Sequence, residues 1–229
     1  MTEASSRDPT EEASVAALRR DLYKLLSGLF LAAPEASVVA ALQDPDARDV
    51  LVEFLGDRVA APLSAIAALR FGDETRREFF DLVAIPGPRY KPPFESVYCD
   101  ARELDEGVVG GLLLGASSDA VKRAYAVAGF ALDAPELPDH LGCELAFLAE
   151  LAAREVAALD RGDFEAQRLA VVDAADFAVS HTARWISVYA ARLATDPEAR
   201  LLPAVAEVAA ALVAETAARG GRRRLPVTA

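Results

Sequence analysis

The sequence predicts an all-α protein, a single globular helical domain of about ten helices with an irregular Pro/Gly-rich central loop. Three observations carry this. Hydrophobic residues make up 53% of the 229 residues but aromatics only 7%, and much of the apolar content is alanine, which suits packed helices. Apolar positions recur at three- and four-residue spacing along most of the chain. No period-2 alternation is long enough for a sheet, and no repeat or interdomain linker is visible. A chain of this length buries a sufficient core without disulfides or metals.

Residues 1–10 are polar and acidic and read as disordered; the helical domain spans 11–219. Val15, Leu18, Leu22, Leu25 and Leu29 form one face of a first helix from Glu11 to about Leu31, widened by Tyr23, Leu26 and Phe30, and Ala33-Pro34 ends it. A short helix follows over Ser37–Leu42. Asp44 as N-cap with Pro45 at the first position opens another that runs to Leu55, with Gly56 as its stop. Pro62–Leu69 reads as a short helix, and Asp73 caps the next, which turns Phe79, Phe80 and Leu82 inward.

Residues 85–100, IPGPRYKPPFESVYCD, hold four prolines, so the spacing excludes helix there, and irregular chain continues to about 117. Ser117 or Ser118 caps a helix to Ala128, ended by Gly129. Pro138, in the first turn with Asp139 favouring the dipole, starts a strong helix to about 160 with the stripe Leu141, Leu145, Leu148 and Ala152 beside Phe147 and Leu151. Phe164–Leu193 is helical in pattern, with a break near Ser180-His181. Thr195-Asp196-Pro197 restarts a last helix to about Arg219, and the basic tail 220–229 reads as mobile.

The net charge of −12, from 36 acids and 24 bases, gives no basic footprint for nucleic acid and permits a cationic partner such as a basic peptide. Cys99 and Cys143 form neither a disulfide framework nor a zinc spacing and read as reduced thiols. The N-terminus lacks an apolar signal core, and the longest membrane candidate, Val108–Ala116, is short and glycine-broken, so the protein is expected in the cytoplasm. Phosphate-loop, nucleophile-elbow and metalloprotease motifs are all missing. With only His140 and His181, the pair His140/Glu144 lacks a third metal ligand.

Three segments carry chemistry. PPFESVY, Pro92 to Tyr98, is either a routing loop whose aromatics plug the core or a recognition surface of rigid aromatics with Glu95 as an acidic contact. In Asp139-His140 the carboxylate orients the imidazole or binds a cation, or it simply decorates a helix start. Phe177, His181, Trp185 and Tyr189 share one helix face; such a stripe is more often core, with Trp185 packed and His181 satisfied inside.

Four pieces, in order, resemble the TorD/DmsD/NarJ family of molybdoenzyme chaperones. They are Arg20–Phe30, RDLYKLLSGLF; Glu78–Leu82 leading to Gly87-Pro88 and then PPFESVY; Leu137–Leu148, LPDHLGCELAFL; and Phe177–Trp185, FAVSHTARW. The chain departs from the family pattern in Ala84-Ile85-Pro86, where an aromatic-containing run is usual, and in Phe94, where a larger aromatic is common.

The resemblance implies an all-helical chaperone without enzymatic activity and with no cofactor of its own. It would bind the N-terminal leader, of twin-arginine type or its remnant, of a molybdopterin enzyme's catalytic subunit and assist cofactor insertion before export or assembly. It implies a peptide groove lined by Tyr23, Pro93, Phe94, Ser96 and Tyr98 on one side and Pro138, Asp139, His140 and Glu144 on the other. Asp139 and Glu95 would meet leader guanidinium groups while Phe94 and Tyr98 cover the apolar part. A monomer or a domain-swapped dimer fits the resemblance, and nucleotide binding stays open. The rival reading is a small helical metal- or ligand-dependent enzyme using Asp139, His140 and Glu144.

Overall fold

A computed structural model of the chain describes residues 9–100, 102–104, 107–109, 111–132 and 135–223. In order they form α1 Pro9–Leu31, α2 Ala36–Gln43, α3 Pro45–Leu55, α4 Ala60–Ala67, α5 Asp73–Phe79, α6 Glu95–Cys99, a hairpin of β1 Arg102–Leu104 and β2 Gly107–Val109, α7 Ala116–Ala128, α8 Leu141–Asp160, α9 Phe164–Ser180, α10 Ile186–Ala194 and α11 Leu201–Arg223. The expected all-α class stands. The antiparallel hairpin is a local excursion of the central loop, pairing Glu103 with Val108.

The long helices build one layered core. α1 lies along α8, α8 along α9, α9 along α11, and α11 along α10 and α4. Alanine permits these close approaches: Ala16, Ala152, Ala178, Ala206 and Ala209 are all buried where helices cross. On α1 the buried face is Ala16, Leu22, Tyr23, Leu26, Leu29 and Phe30, so Leu22 and Leu29 of the expected stripe are buried while Val15, Leu18 and Leu25 are only half-buried. The α8 stripe is buried as expected.

Several boundaries follow the sequence closely. Asp44 accepts from the Ala47 amide at 2.9 Å with Pro45 at the first helical position, and Gly56 closes α3 at φ 84°. Gly129 ends α7 in the left-handed region. The break at His181 separates α9 from a 3-10 turn over Thr182–Arg184.

Other expectations need correction, and each time the cause is a partner distant in sequence. The span 85–100 is not free of helix: α6 begins two residues after Pro93, where the amides are again available. Ser117 and Ser118 lie inside α7, and Asp100 supplies the cap, accepting from the Ser117 amide at 2.9 Å and its hydroxyl at 2.7 Å. The strong helix starts at Leu141, not Pro138.

Likewise α11 begins at Leu201 because Glu78, buried on α5, accepts from the amides of Arg200, Leu201 and Leu202 at 2.9, 3.2 and 2.7 Å. Phe80 is 42% exposed rather than inward, since a π-helical turn over Phe80–Ala84 rotates it out.

The expected disordered N-terminus falls outside the described residues apart from 9 and 10, which belong to α1, and of the expected mobile tail 220–223 continue α11, where Gly220 packs on Ala175. One helix, Leu201–Gly220, is long and apolar enough to cross a membrane by length and composition, which the sequence reading did not anticipate; 61% of it is buried inside the domain.

Candidate functional site

The two least generic sequence segments lie side by side. Prolines strip Pro92 and Pro93 of amide donors, yet the Pro93 carbonyl accepts from Leu141 N–H at 2.8 Å and Glu95 N–H donates to the Asp139 carbonyl at 2.9 Å. Phe94 and His140 thereby form one isolated antiparallel bridge. The Asp139 carboxylate then reaches across to the Ser96 amide at 3.0 Å, so the aspartate caps α6 rather than its own helix.

His140 takes the N-cap of α8. Its Nδ1 accepts from Gly142 N–H at 3.0 Å, which requires the unprotonated nitrogen. Burial pushes the His140 imidazole down to about 4, with Asp139 pulling weakly the other way, so the neutral form is the one present near pH 7. Gly142 has no room for a side chain: a Cβ there would lie 2.5 Å from Leu31 of α1. Asp139 thus does not orient the His140 ring, and the expected Asp139–His140–Glu144 grouping is not assembled as one catalytic set.

Glu95 is fully buried and is answered from the far end of α9. Its carboxylate meets His181 Nδ1 at 3.0 Å and the Arg184 guanidinium at 3.1 Å. Glu144, also fully buried, accepts from Trp185 Nε1–H at 3.3 Å and faces the Thr182 hydroxyl. Burial raises its carboxyl well above the usual range, and the nearby Glu95 charge adds to the rise.

Tyr98 stacks on Trp185 with centroids 5.4 Å apart and planes 17° off parallel, and meets Tyr189 edge-on at 5.9 Å. Its outer face carries the Arg192 guanidinium at 5.8 Å, and burial pushes the Tyr98 hydroxyl up to about 12.

Of the residues read from sequence, the structure brings Pro93, Phe94, Glu95, Ser96, Tyr98, Pro138, Asp139, His140 and Glu144 into one cluster. Tyr23 is not placed with them: its hydroxyl pairs with Thr216 of α11 at 2.7 Å. The open trough expected from these side chains is not what the structure presents. Phe94, Glu95, Ser96, Asp139, His140 and Glu144 are buried; only Tyr98 and Pro138 are half-buried. The physical reason is that Glu95 turns inward to His181 and Arg184 and one Asp139 oxygen turns inward to the Ser96 amide. Trp185 and Tyr189 are core, as the stripe suggested, and His181 is the satisfied histidine anticipated. Sequence reasoning did not single out Arg184 and Thr182 as site residues, although both lie within FAVSHTARW.

An accessible groove adjoins this cluster. It holds about 450 Å³ between α7, α8 and α9, floored by Phe147, Leu151 and Phe177 and edged by Val127, Arg154, Asp173 and Asp176; His181 forms part of its wall. Val127 is 91% exposed there. His181 therefore touches the groove on one side and Glu95 on the other. Among the described residues no group of three His, Cys, Asp or Glu is placed to hold a metal ion.

The family profile described as Nitrate reductase delta subunit matches residues 40–191, from α2 into α10. The chain belongs to this family. The nitrate reductase delta subunit family comprises molybdoenzyme maturation chaperones, in agreement with the resemblance seen in the sequence. A comparison with curated proteins found no match. In this delta-family chaperone the matched region contains the whole buried cluster and the groove beside it.

Proposed function

We propose that this chaperone binds the N-terminal leader of a molybdopterin enzyme's catalytic subunit and keeps that subunit ready for cofactor insertion in the cytoplasm. It acts by binding and not by catalysis. The observation that carries the reading is the α7–α8–α9 groove, whose aromatic floor, edged by Asp173 and Asp176 against Arg154 as the single arginine among the described lining residues, complements a segment that joins apolar residues to arginines. The net charge of −12 accelerates encounter with a cationic leader and makes it salt-sensitive. The buried cluster supports this role from behind, by fixing His181 and hence the groove wall.

Calorimetry with a leader peptide carrying an arginine pair followed by an apolar stretch tests the proposal. Val127→Glu, on an exposed position, is expected to weaken binding about tenfold or more by placing a charge over the apolar floor, with no change in thermal stability. Equal affinity in the wild type and this variant removes the groove from the reading.

A further inference from the structure

The α6 segment closes over the Trp185 face in an unusual way. It is tied down by contacts of distinct kinds: the single bridge between Phe94 and His140, the Asp139 cap on Ser96 N–H, the Glu95 bonds to His181 and Arg184, the Tyr98 stack on Trp185, and the Asp100 cap on α7 at its far end. From outside, the chain leaving the hairpin wraps it. Gly111 N–H donates to the Val97 carbonyl at 3.2 Å, and a Cβ at Gly111 would fall 1.8 Å from the Ser96 carbonyl oxygen.

Polar satisfaction under the segment is incomplete. Ser96 Oγ, Asp139 Oδ1 and Tyr189 OH are buried without a hydrogen-bond partner among the described residues. Three buried acids, Glu95, Asp139 and Glu144, share the site with the His181 and His140 imidazoles and one guanidinium, and the Arg184 side chain is 49% exposed. Also facing it are Tyr98, Cys99 and Asp100 from the α6 segment, Tyr125 from α7, Cys143 from α8 and Tyr189 from α10.

We propose that Pro92–Asp100 is a latch, an internal stand-in that an extended segment of the client polypeptide displaces. The client backbone would take over the two strand-like hydrogen bonds to Asp139 and Leu141. An apolar client side chain would replace Tyr98 on the Trp185 face, and its basic side chains would meet Asp139 and Glu144, since Glu95 leaves with the latch. The unpartnered atoms then gain partners in the bound state that they lack in the closed one. This rests on the leader-binding reading and supplies its regulation: the groove accepts the leader first, and His181, shared between groove and Glu95, passes occupancy to the latch.

The test uses the full chain, a fluorescein-labelled peptide with an arginine pair and an apolar stretch, and two variants. Arg184→Gln removes one latch bond from a half-exposed position, and Gly111→Ala wedges the wrapping chain away from α6. Hydrogen exchange of the amides of 94–100 is expected to speed up about tenfold in both, with the rest of the core unchanged. Peptide affinity is expected to rise severalfold, because a latch already open removes the population cost of opening it. Trp185, the sole tryptophan, is expected to change its emission when peptide binds the wild type.

Unchanged exchange, or faster exchange with unchanged or weaker affinity, overturns the latch. If the wild type binds peptide and Val127→Glu abolishes it while the latch variants change nothing, leader binding stands and the latch falls. If only the latch variants bind, the latch stands and the groove-first reading falls. If neither wild type nor variants bind, both fall.

Discussion

Two buried charge clusters of similar size sit at opposite ends of α8, and they are built on different principles. Near the C-terminal end, Arg19 of α1 bonds Glu155 at 3.3 Å and Glu215 at 3.1 Å, and Arg219 of α11 clasps Glu155 through both guanidinium nitrogens. Two cations face two anions there, and the acid oxygens are all engaged. Near the N-terminal end, Glu95, Asp139 and Glu144 outnumber His181 and Arg184, and polar atoms are left over. Desolvating ions is costly in both places. The first cluster offsets that cost within itself and so pins α1, α8 and α11 together. The second offsets it only in part, which is tolerable where a partner completes it.

The largest effect expected from this contrast is on stability. Glu155→Ala strips Arg219 of its carboxylate partner, leaves Arg19 with Glu215 alone, and is expected to cost about 3–5 kcal/mol in urea denaturation. Glu144→Gln is expected to cost less than about 1 kcal/mol, because burial disfavours the charged carboxylate there and the amide oxygen keeps the Trp185 bond. A Glu144→Gln loss as large as that of Glu155→Ala would erase the distinction between the clusters.

The next effect is on pH dependence and belongs to the acid-rich end alone. The His140 imidazole sits at about 4 in the folded chain and near 6.5 once unfolded, so between these values the unfolded state binds the extra proton. Stability from the neutral imidazole is therefore complete above pH 6.5 and is lost as pH falls toward 4, by up to about 3 kcal/mol. Glu144 slopes the opposite way, its raised carboxyl losing stability as pH rises. The measurement is thus a difference: His140→Asn, which keeps an N-cap acceptor, is expected to flatten the acid fall in melting temperature relative to wild type. A parallel pair of curves would mean that His140 does not carry the titration.

The two clusters also differ in how far they were legible in the sequence. Helix identity followed from spacing, and α3 and the α8 stripe were readable almost to the residue because their signals are local. The members of the acid-rich cluster were recognisable as a group through PPFESVY and the LPDH block. Their burial was not, since it depends on Arg184 and Trp185, some ninety residues beyond Glu95, closing over them. The balanced cluster was invisible: Arg19, Glu155, Glu215 and Arg219 look like ordinary solvent-facing charges until three helices converge. The caps from Asp100, Asp139 and Glu78 were unreadable for the same reason, each acting on a helix other than its own.

The smallest effect sharpens the contrast at single hydroxyls. In the balanced region Thr216 Oγ1 pairs with Tyr23 OH at 2.7 Å, so Thr216→Val leaves a buried phenol hydroxyl with only the distant Leu212 carbonyl at 3.4 Å. That is expected to cost about 1–2 kcal/mol. In the acid-rich region Ser96 Oγ is buried without a partner among the described residues, so Ser96→Ala removes an unmet polar group and is expected to leave stability within about 0.5 kcal/mol or raise it slightly. The same Ser96→Ala variant should bind leader peptide more weakly, because a closed segment relieved of its unmet hydroxyl is harder to displace. Stability and binding would then move in opposite directions at one atom, which a purely structural hydroxyl cannot produce.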